Sequence, residues 1–194
     1  MSMPTVIVAT GNPGKLQEMQ GYLTPLGWDL QLKPKDIEVD ETGTTFLENA
    51  RLKAQEVAIA TQQWAIADDS GLQIDALNGA PGLYSARYGK DDQDRINRVL
   101  RELKGAPNRS AQFVCALALA RPDGTIALDT EGICPGEILT APRGTNGFGY
   151  DPIFYVPSQG QTFAEMAHQQ KETHSHRGIA FAQIMAELNQ LNLA

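Results

Sequence analysis

A glycine-rich turn after a short apolar run has the composition of a phosphate-binding loop. The run Val6–Ala9 leads directly into Thr10-Gly11-Asn12-Pro13-Gly14-Lys15. Glycines let the backbone approach an anion closely, the N-terminus of a following helix attracts negative charge, and Lys15 adds a full positive charge. An ordinary Gly/Pro turn before a helix would have the same composition. The spacing is not that of a P-loop, because Leu16 stands where the magnesium-binding Ser or Thr would follow the lysine, so a metal must be held elsewhere.

Acidic side chains supply candidate metal ligands elsewhere in the chain. Asp68-Asp69-Ser70-Gly71 follows an apolar strand-like segment, and it predicts that the strand ends there in a tight turn. Ligands bind at the carboxyl ends of strands in open α/β sheets, and adjacent carboxylates repel one another unless a cation such as Mg²⁺ binds them. The alternative is an Asp-Ser-Gly turn without a metal. Glu41 lies in a polar loop that also carries Glu38 and Asp40, and it is a further candidate ligand.

Two more segments carry side chains that could contact a ligand. Thr45 begins a capping-box sequence, and the helix that follows places Asn49, Lys53 and Glu56 on one face, which is typical of a solvated helix face as well. The segment Gly144–Pro152 is too irregular for a strand, and its aromatic residues suggest stacking on a flat ring. The alternative is that Phe148 or Tyr150 anchors the loop in the core.

The elements needed to position these residues form an α/β pattern. We expect strands over 6–9, 30–32, 64–67, 72–76, 113–120 and 125–133, the last two as an antiparallel hairpin, so the sheet is mixed. Helices are expected from Asn12 to Gly27, over 46–61 and over 92–103. Thr162–Glu165 predicts the cap of a short helix, and Ser175-His176-Arg177 opens a last helix with an apolar core face. His176 and Arg177 could simply be exposed residues of its first turn.

Composition narrows the classes of function. The chain has 194 residues, 42% of them hydrophobic, which is enough for one globular domain of one or two lobes. A net charge of −7 argues against a partner such as nucleic acid or an acidic membrane, since both need a basic surface. We find neither a signal peptide nor an apolar run of membrane-spanning length. Cys115 and Cys134 lack CxxC spacing, which indicates buried thiols in a reducing compartment and argues against structural zinc.

Seven motifs in order resemble the inosine/xanthosine triphosphate pyrophosphatases, the RdgB/HAM1 family. They run from the first strand to the last helix, and they comprise Thr10–Lys15, Glu41-Thr42-Gly43, Phe46 with Glu48-Asn49-Ala50 and Lys53, Ala67–Leu72, Gly82 with Tyr84–Tyr88, Gly147–Phe154 and Ser175–Arg177. The resemblance implies one α/β domain over residues 1–194, elongated, with a long central mixed sheet, two lobes and a substrate cleft between them. It also implies a homodimer that uses Mg²⁺ to hydrolyse ITP, dITP and XTP to the monophosphate and pyrophosphate, which keeps deaminated purines out of nucleic acid. The reducing compartment indicated by the cysteines is expected to be the cytoplasm.

The resemblance also implies roles for individual residues. Glu41 and Asp69 would bind Mg²⁺, with Asp40 as an alternative to Glu41. Asp69 would be the general base, and Asp68 an additional ligand or an orienting group. The substrate would be bound by a larger set: the triphosphate by Thr10, Gly11, Asn12, Pro13, Gly14, Lys15 and Lys53, the phosphate or sugar by Ser70, and the base by Phe148, Gly149, Tyr150, Asp151, Lys171, His176 and Arg177.

Other functions compete with this one. Maf-like nucleotide pyrophosphatases have a related fold and act on modified or pyrimidine triphosphates, so a panel of bases would separate them. A nucleotide sensor would bind the same ligands without turnover, although the carboxylates Glu41, Asp68 and Asp69 argue against it, since a sensor has no need of a metal and a base. A haloacid-dehalogenase-type phosphatase is disfavoured because Asp68-Asp69 lacks the DxD spacing.

Overall fold

The described part of the chain folds around a seven-stranded mixed β-sheet. The computed structural model describes residues 4–191 and residue 193. Its strands are β1 (Thr5–Val8), β2 (Asp29–Leu32), β3 (Trp64–Ile74), β4 (Ser110–Ala120), β5 (Ile126–Ile138), β6 (Phe154–Val156) and β7 (Gln161–Thr162). The order across the sheet is β2-β1-β3-β4-β5-β6-β7. β1 pairs in parallel with β2 and β3, whereas β6 pairs antiparallel with β5 and β7, so the predicted mixed sheet is confirmed.

Within the described residues, five α-helices connect and flank the strands. They are α1 (Pro13–Leu23), α2 (Phe46–Thr61), α3 (Asp92–Glu102), α4 (His168–His174) and α5 (His176–Leu188). α1 begins as predicted, with Asn12 as its N-cap and Pro13 in the first turn. It ends before the predicted Gly27, because the chain tightens into a 3₁₀ turn over Thr24–Leu26 that Gly27 closes in the left-handed conformation. The capping box of α2 is confirmed.

The prediction of a turn at Asp68–Gly71 is wrong. β3 runs without interruption from Trp64 to Ile74, and it lies between β1 and β4 in the sheet. The predicted turn rested on the Asp-Asp-Ser-Gly composition of the segment, but the strand continues through it, and Asp68 and Asp69 each pair with a lysine. Successive side chains of a strand point to opposite faces, so the two carboxylates do not face each other. β1 pairs with β3 only as far as Ile66, so the carboxylates still lie beyond the carboxyl end of β1.

The prediction of a helix cap at Thr162–Glu165 is also wrong. Thr162 ends β7, and a turn separates it from α4, which begins at His168 after Ala167. The capping pattern stabilises this turn, because the Thr162 N–H donates to the Glu165 carboxylate at 2.8 Å. The predicted opening of α5 is confirmed, and its apolar face is buried at Ala180, Phe181, Ile184 and Leu188.

Each of two compact units has its own core. Unit 1 comprises the described residues within Met1–Asp69, Cys115–Gly132 and Ala180–Ala194, and unit 2 comprises Ser70–Val114 and Ile133–Ile179. The unit 1 core packs α1 and α5 residues against β1, β3 and β4, and the unit 2 core packs α3 residues against β4, β5 and β6. Within the part of the chain that the structure describes, no helix is both long and apolar enough to cross a bilayer.

Candidate active site

The loop between β1 and α1 is exposed and ends in a charged side chain. The Asn12 Oδ1 accepts bonds from the backbone N–H groups of Gly14 (2.9 Å) and Lys15 (3.3 Å), and the Asn12 N–H donates to the Thr10 Oγ1 at 3.1 Å. Asn12 therefore occupies two of the N–H groups that open the helix. Among the described residues outside its chain neighbours, none has an atom within 4 Å of where a Cβ of Gly11 would stand, so the backbone at Gly11 is open to a ligand.

Asp68 holds the lysine of this loop. The Lys15 ammonium lies 3.3 Å from the Asp68 Oδ2, and the Asp68 carboxylate is buried. The pair joins the start of α1 to β3. The thiol of Cys115 on β4 also lies near this carboxylate, with its Sγ 4.0 Å from the Asp68 Oδ2. Asp68 therefore orients Lys15, on the face of β3 opposite to Asp69.

On the other face of β3, Lys53 joins two acidic side chains. The Lys53 Nζ of α2 lies 2.9 Å from the Glu41 Oε1 and 3.1 Å from the Asp69 Oδ1. Lys53 was one of three residues predicted on a single helix face, and it is not simply solvated, because only 13% of its side chain is exposed. Two carboxylates from distant parts of the sequence thus converge on one positive charge.

Burial and charge shift the pKa values of this cluster. Burial raises the pKa of Asp69 above its ordinary value, and the positive charges of Lys53 and Lys15 only partly offset this effect. Burial alone would lower the pKa of Lys53, but the negative charges of Asp69, Asp68 and Glu41 outweigh it and raise the pKa. Lys53 is therefore a firmly charged ammonium, and Asp69 is a carboxylate with increased affinity for a proton.

The acidic pair has the composition of a magnesium site. Across residues 4–191 and 193, no three His, Cys, Asp or Glu side chains converge as a metal-binding group. Mg²⁺ does not need three protein ligands, because it keeps several waters and binds through one or two carboxylates and substrate phosphates. Glu41 and Asp69 fit that requirement, since both already face one cation. Asp40 and Glu41 are both exposed, but the Glu41 carboxylate contacts the same Lys53 ammonium as Asp69, so the structure favours Glu41 over Asp40 as the partner of Asp69.

In unit 2, Arg177 and His176 are buried at the start of α5. Arg177 is 1% exposed, and its Nη2 donates to the Ser70 Oγ at 3.1 Å. His176 is 5% exposed, and its ring stacks on Phe113 with 4.6 Å between centroids. The alternative that both are exposed first-turn residues is wrong, because Ser70 and the aromatic core of unit 2 bind them. Sequence reasoning could not place these partners, which lie far away in the chain.

Lys171 and Asp151 form a buried ion pair in unit 2. The Lys171 Nζ of α4 lies 2.6 Å from the Asp151 Oδ2, and it also lies 4.9 Å from the centroid of the Phe148 ring. The same Asp151 oxygen accepts a bond from the Phe148 N–H at 2.9 Å. The structure therefore brings three predicted base-binding residues together. Gly147 is required beside them, since it has φ +75° and a Cβ there would overlap the Asp151 carboxylate.

Tyr150 anchors the glycine-rich segment. Its ring is 4% exposed in the unit 2 core, and its hydroxyl donates to the Ser85 carbonyl at 2.8 Å. The prediction that Tyr150 stacks on a ligand is therefore wrong, and the alternative of a core anchor holds for this residue. Phe148 is only half-buried, so it keeps ring surface for a ligand.

Comparison with known proteins places the chain in a family. Its sequence matches the Ham1 family over residues 6–187. The chain belongs to the Ham1 family. A dITP/XTP pyrophosphatase of Synechocystis sp. is 62% identical over 183 residues, 94% of both chains, and one of Nostoc sp. is 63% identical over 94% of this chain and 93% of the relative. The solved HAM1 protein of Coxiella burnetii superposes with a TM-score of 0.88 at 43% identity, covering 97% of this chain and 100% of that one.

Two polar residues of this Ham1 family chain support the site in ways that were not predicted: Asn49 was expected only on a shared helix face, and no role was proposed for Ser85. Asn49 on α2 is 2% exposed, and its Oδ1 accepts a bond from the Gly43 N–H at 2.8 Å, which fixes the loop that carries Glu41. Ser85 is buried, and its Oγ accepts a bond from the Leu72 N–H at 2.9 Å. Gly43, just before the capping box, was the sequence feature that could have indicated a structural role for Asn49. Gly43 packs against the start of α2, where Asn49 lies.

Proposed function

We propose that this chain hydrolyses non-standard purine nucleoside triphosphates, ITP, dITP and XTP, to the monophosphate and pyrophosphate. The observation that carries the proposal is the convergence of Glu41 and Asp69 on the Lys53 ammonium, beside a glycine-rich loop that ends in Lys15. Relatives at 62% and 63% identity are named dITP/XTP pyrophosphatases, which supports the same reaction class here.

The unit 1 residues suit the chemistry of phosphate transfer to water. Asp69 is the proposed general base, because burial raises its pKa and so increases its affinity for the proton of an attacking water. Lys15, Lys53 and the backbone of the Thr10–Lys15 loop are proposed to bind the triphosphate oxygens, whose negative charge they match. Asp68 is proposed to orient Lys15 by its 3.3 Å ion pair.

Magnesium is the proposed cofactor. Glu41 and Asp69 would hold it, since two carboxylates together with substrate phosphates are an ordinary Mg²⁺ environment. When bound, the ion would supply positive charge to the phosphate oxygens and to the departing pyrophosphate. The Lys53 ammonium already lies between these carboxylates, so it would share them with the metal.

Base recognition is proposed to fall to residues of unit 2. Arginine and lysine only donate hydrogen bonds, so Arg177 and Lys171 match the 6-oxo group of hypoxanthine or xanthine and oppose the 6-amino group of adenine. A buried donor facing another donor would cost about 1–3 kcal/mol. Both residues are buried, with 8% of Lys171 and 1% of Arg177 exposed, which makes such a mismatch expensive. The half-buried Phe148 ring is proposed to stack on the base.

The assembly and the compartment are also proposals. We propose a homodimer, which rests on the family resemblance. We propose a reducing compartment such as the cytoplasm, and the buried, unbridged thiols of Cys115 and Cys134 support it. The net charge of −7 supports small nucleotides over nucleic acid as the ligand.

A panel of triphosphates tests the proposed reaction and its specificity. The chain is incubated with ITP, XTP, GTP, ATP or UTP, with Mg²⁺ and separately with EDTA, and initial rates are measured. We expect turnover of ITP and XTP, little of GTP, ATP or UTP, and none with EDTA. Preference for UTP would indicate a Maf-like activity, and binding of ITP without turnover would indicate a sensor. Undiminished turnover in EDTA would contradict the magnesium proposal.

A further inference from the structure

The turn that carries Phe148 needs anchors from outside itself. Gly144, Gly147 and Gly149 have φ values of +81°, +75° and +61°. Glycine loses more conformational freedom on folding than other residues, so a glycine-rich turn is costly to order. The orientation of the Phe148 ring therefore depends on the bonds that other elements make to this turn.

Two carboxylates bind consecutive N–H groups of the turn. The Phe148 N–H donates to Asp151, which is three residues away and also pairs with Lys171. The next N–H, that of Gly149, donates to the Asp92 Oδ2 at 2.7 Å. Asp92 lies in the first turn of α3, 57 residues away in sequence. This bond attaches the turn to α3, which lies outside the glycine-rich segment.

The Asp92 carboxylate is itself oriented. Its Oδ1 accepts a bond from the Arg95 Nη1 at 2.6 Å, which leaves Oδ2 directed at Gly149. The N-cap of α3 is Asp91, so Asp92 is not needed to begin the helix. α3 is fixed in the unit 2 core through Ile96 and Val99, which are buried. Because α3 is held in place by its packing, the bond from Asp92 restrains the position of the turn.

We propose that Asp92 is a positioning residue for base recognition, which holds the Gly147–Gly149 turn so that the Phe148 ring is presented to the purine. The assignment rests on the proposed function. Its removal frees the Gly149 N–H and lets the turn sample other conformations, so part of the binding energy of the base is spent on ordering it. We expect the KM for ITP to rise about tenfold, since a charge-assisted bond is lost, while kcat changes little.

Three variants separate the hydrogen bond from the charge. Asp92→Ala removes both, whereas Asp92→Asn removes the charge and keeps an oxygen acceptor. Asp94→Ala is the matched control, because it removes an acidic side chain from the same helical turn whose carboxylate accepts a bond from the Lys90 N–H instead. The measurements are kcat and KM for ITP, thermal melting, and hydrogen exchange of the Gly149 amide by NMR.

The expected result is faster Gly149 exchange and a higher KM in Asp92→Ala alone, with Asp92→Asn close to wild type. Unchanged Gly149 exchange in Asp92→Ala would overturn the assignment, whatever the chain hydrolyses. Faster exchange with an unchanged KM would also overturn it, because the turn would then not take part in base recognition. An equal rise of KM in Asp94→Ala would show that the loss of negative charge causes the effect, and the assignment of Asp92 would then be rejected. A wild-type chain without ITP turnover would overturn the proposed function and this assignment together, and the wild-type rate alone identifies that case.

Discussion

Asp68 and Asp69 are adjacent in β3, yet they pair with lysines of different helices. Asp68 lies 3.3 Å from the Lys15 of α1, and Asp69 lies 3.1 Å from the Lys53 of α2. Alternation of side chains along a strand separates the two carboxylates onto opposite faces of the sheet. Only Asp69 therefore lies beside Glu41. Asp68 and Asp69 thus have different proposed roles: Asp69 takes part in the chemistry, and Asp68 orients a phosphate-binding lysine.

Asp69→Asn is expected to lower kcat for ITP by about 10²- to 10⁴-fold, the contribution typical of a general base. Folding should change little, because Asn has nearly the same shape and burial already favours the neutral form of this side chain. Steady-state kinetics and thermal melting check both expectations. Asp129→Asn is the control, since it removes a β5 carboxylate that pairs with Arg51 at the surface. Near-normal turnover in Asp69→Asn would remove Asp69 from the base role.

The pH dependence of kcat/KM should show the raised pKa of Asp69. A general base must be unprotonated, so the rate falls as the pH falls through the pKa of that carboxyl in the free enzyme. Because burial raises this pKa in the chain without Mg²⁺, and a cation bound at Asp69 would lower it, the acid limb should lie above the ordinary value of about 3.9 at Mg²⁺ concentrations too low to load the free chain. Rates are measured with ITP at pH values where melting shows the chain folded. An acid limb at or below the ordinary value would contradict the assignment.

Arg177→Ala is expected to reduce discrimination between ITP and ATP. Loss of a buried donor removes a contact to the 6-oxo group and relieves the clash with the 6-amino group, so the ratio of the two kcat/KM values should fall roughly tenfold or more. Arg177→Lys keeps the charge and should retain part of the ratio. Melting curves show whether the buried substitution is tolerated. Equal losses for both nucleotides would instead make Arg177 a phosphate-binding residue.

Tyr150→Phe is expected to affect stability and leave base preference unchanged. The substitution removes the 2.8 Å bond to the Ser85 carbonyl inside the unit 2 core, which should lower the free energy of unfolding by about 0.5–1.5 kcal/mol. Denaturant unfolding measures this loss. Tyr84→Phe is the matched control, because Tyr84 is 67% exposed and its hydroxyl should contribute little. A changed ratio of ITP to ATP turnover in Tyr150→Phe would return this residue to the base-binding set.

Local patterns in the sequence predicted the elements well where capping and periodicity decided the structure. Asn12 and Thr45 cap α1 and α2 as predicted, and α5 buries the apolar face that its spacing indicated. The prediction of a turn at Asp68–Gly71 failed, although the local composition favours one. Ion pairs and neighbouring strands stabilise this segment in an extended conformation. Tertiary partners of this kind cannot be seen in a single sequence.

The candidate site was predictable in its residue types and only partly in its arrangement. Glu41, Lys53 and Asp69 were all candidates, but their convergence depends on the Asn49 bond that fixes the Gly43 backbone. In the glycine-rich segment, either aromatic residue could have been the anchor. The structure assigns that place to Tyr150, because its hydroxyl reaches a carbonyl partner that Phe148 could not bind.

The position of bond cleavage tests the central claim most directly. ITP is incubated with the wild-type chain and Mg²⁺, and the products are followed by ³¹P NMR, which distinguishes pyrophosphate from orthophosphate. The account predicts IMP and pyrophosphate in equal amounts from the first turnovers, and their loss in Asp69→Asn. Release of orthophosphate with IDP would contradict it, because the scissile bond would then lie at the terminal phosphate and the chain would be a phosphatase.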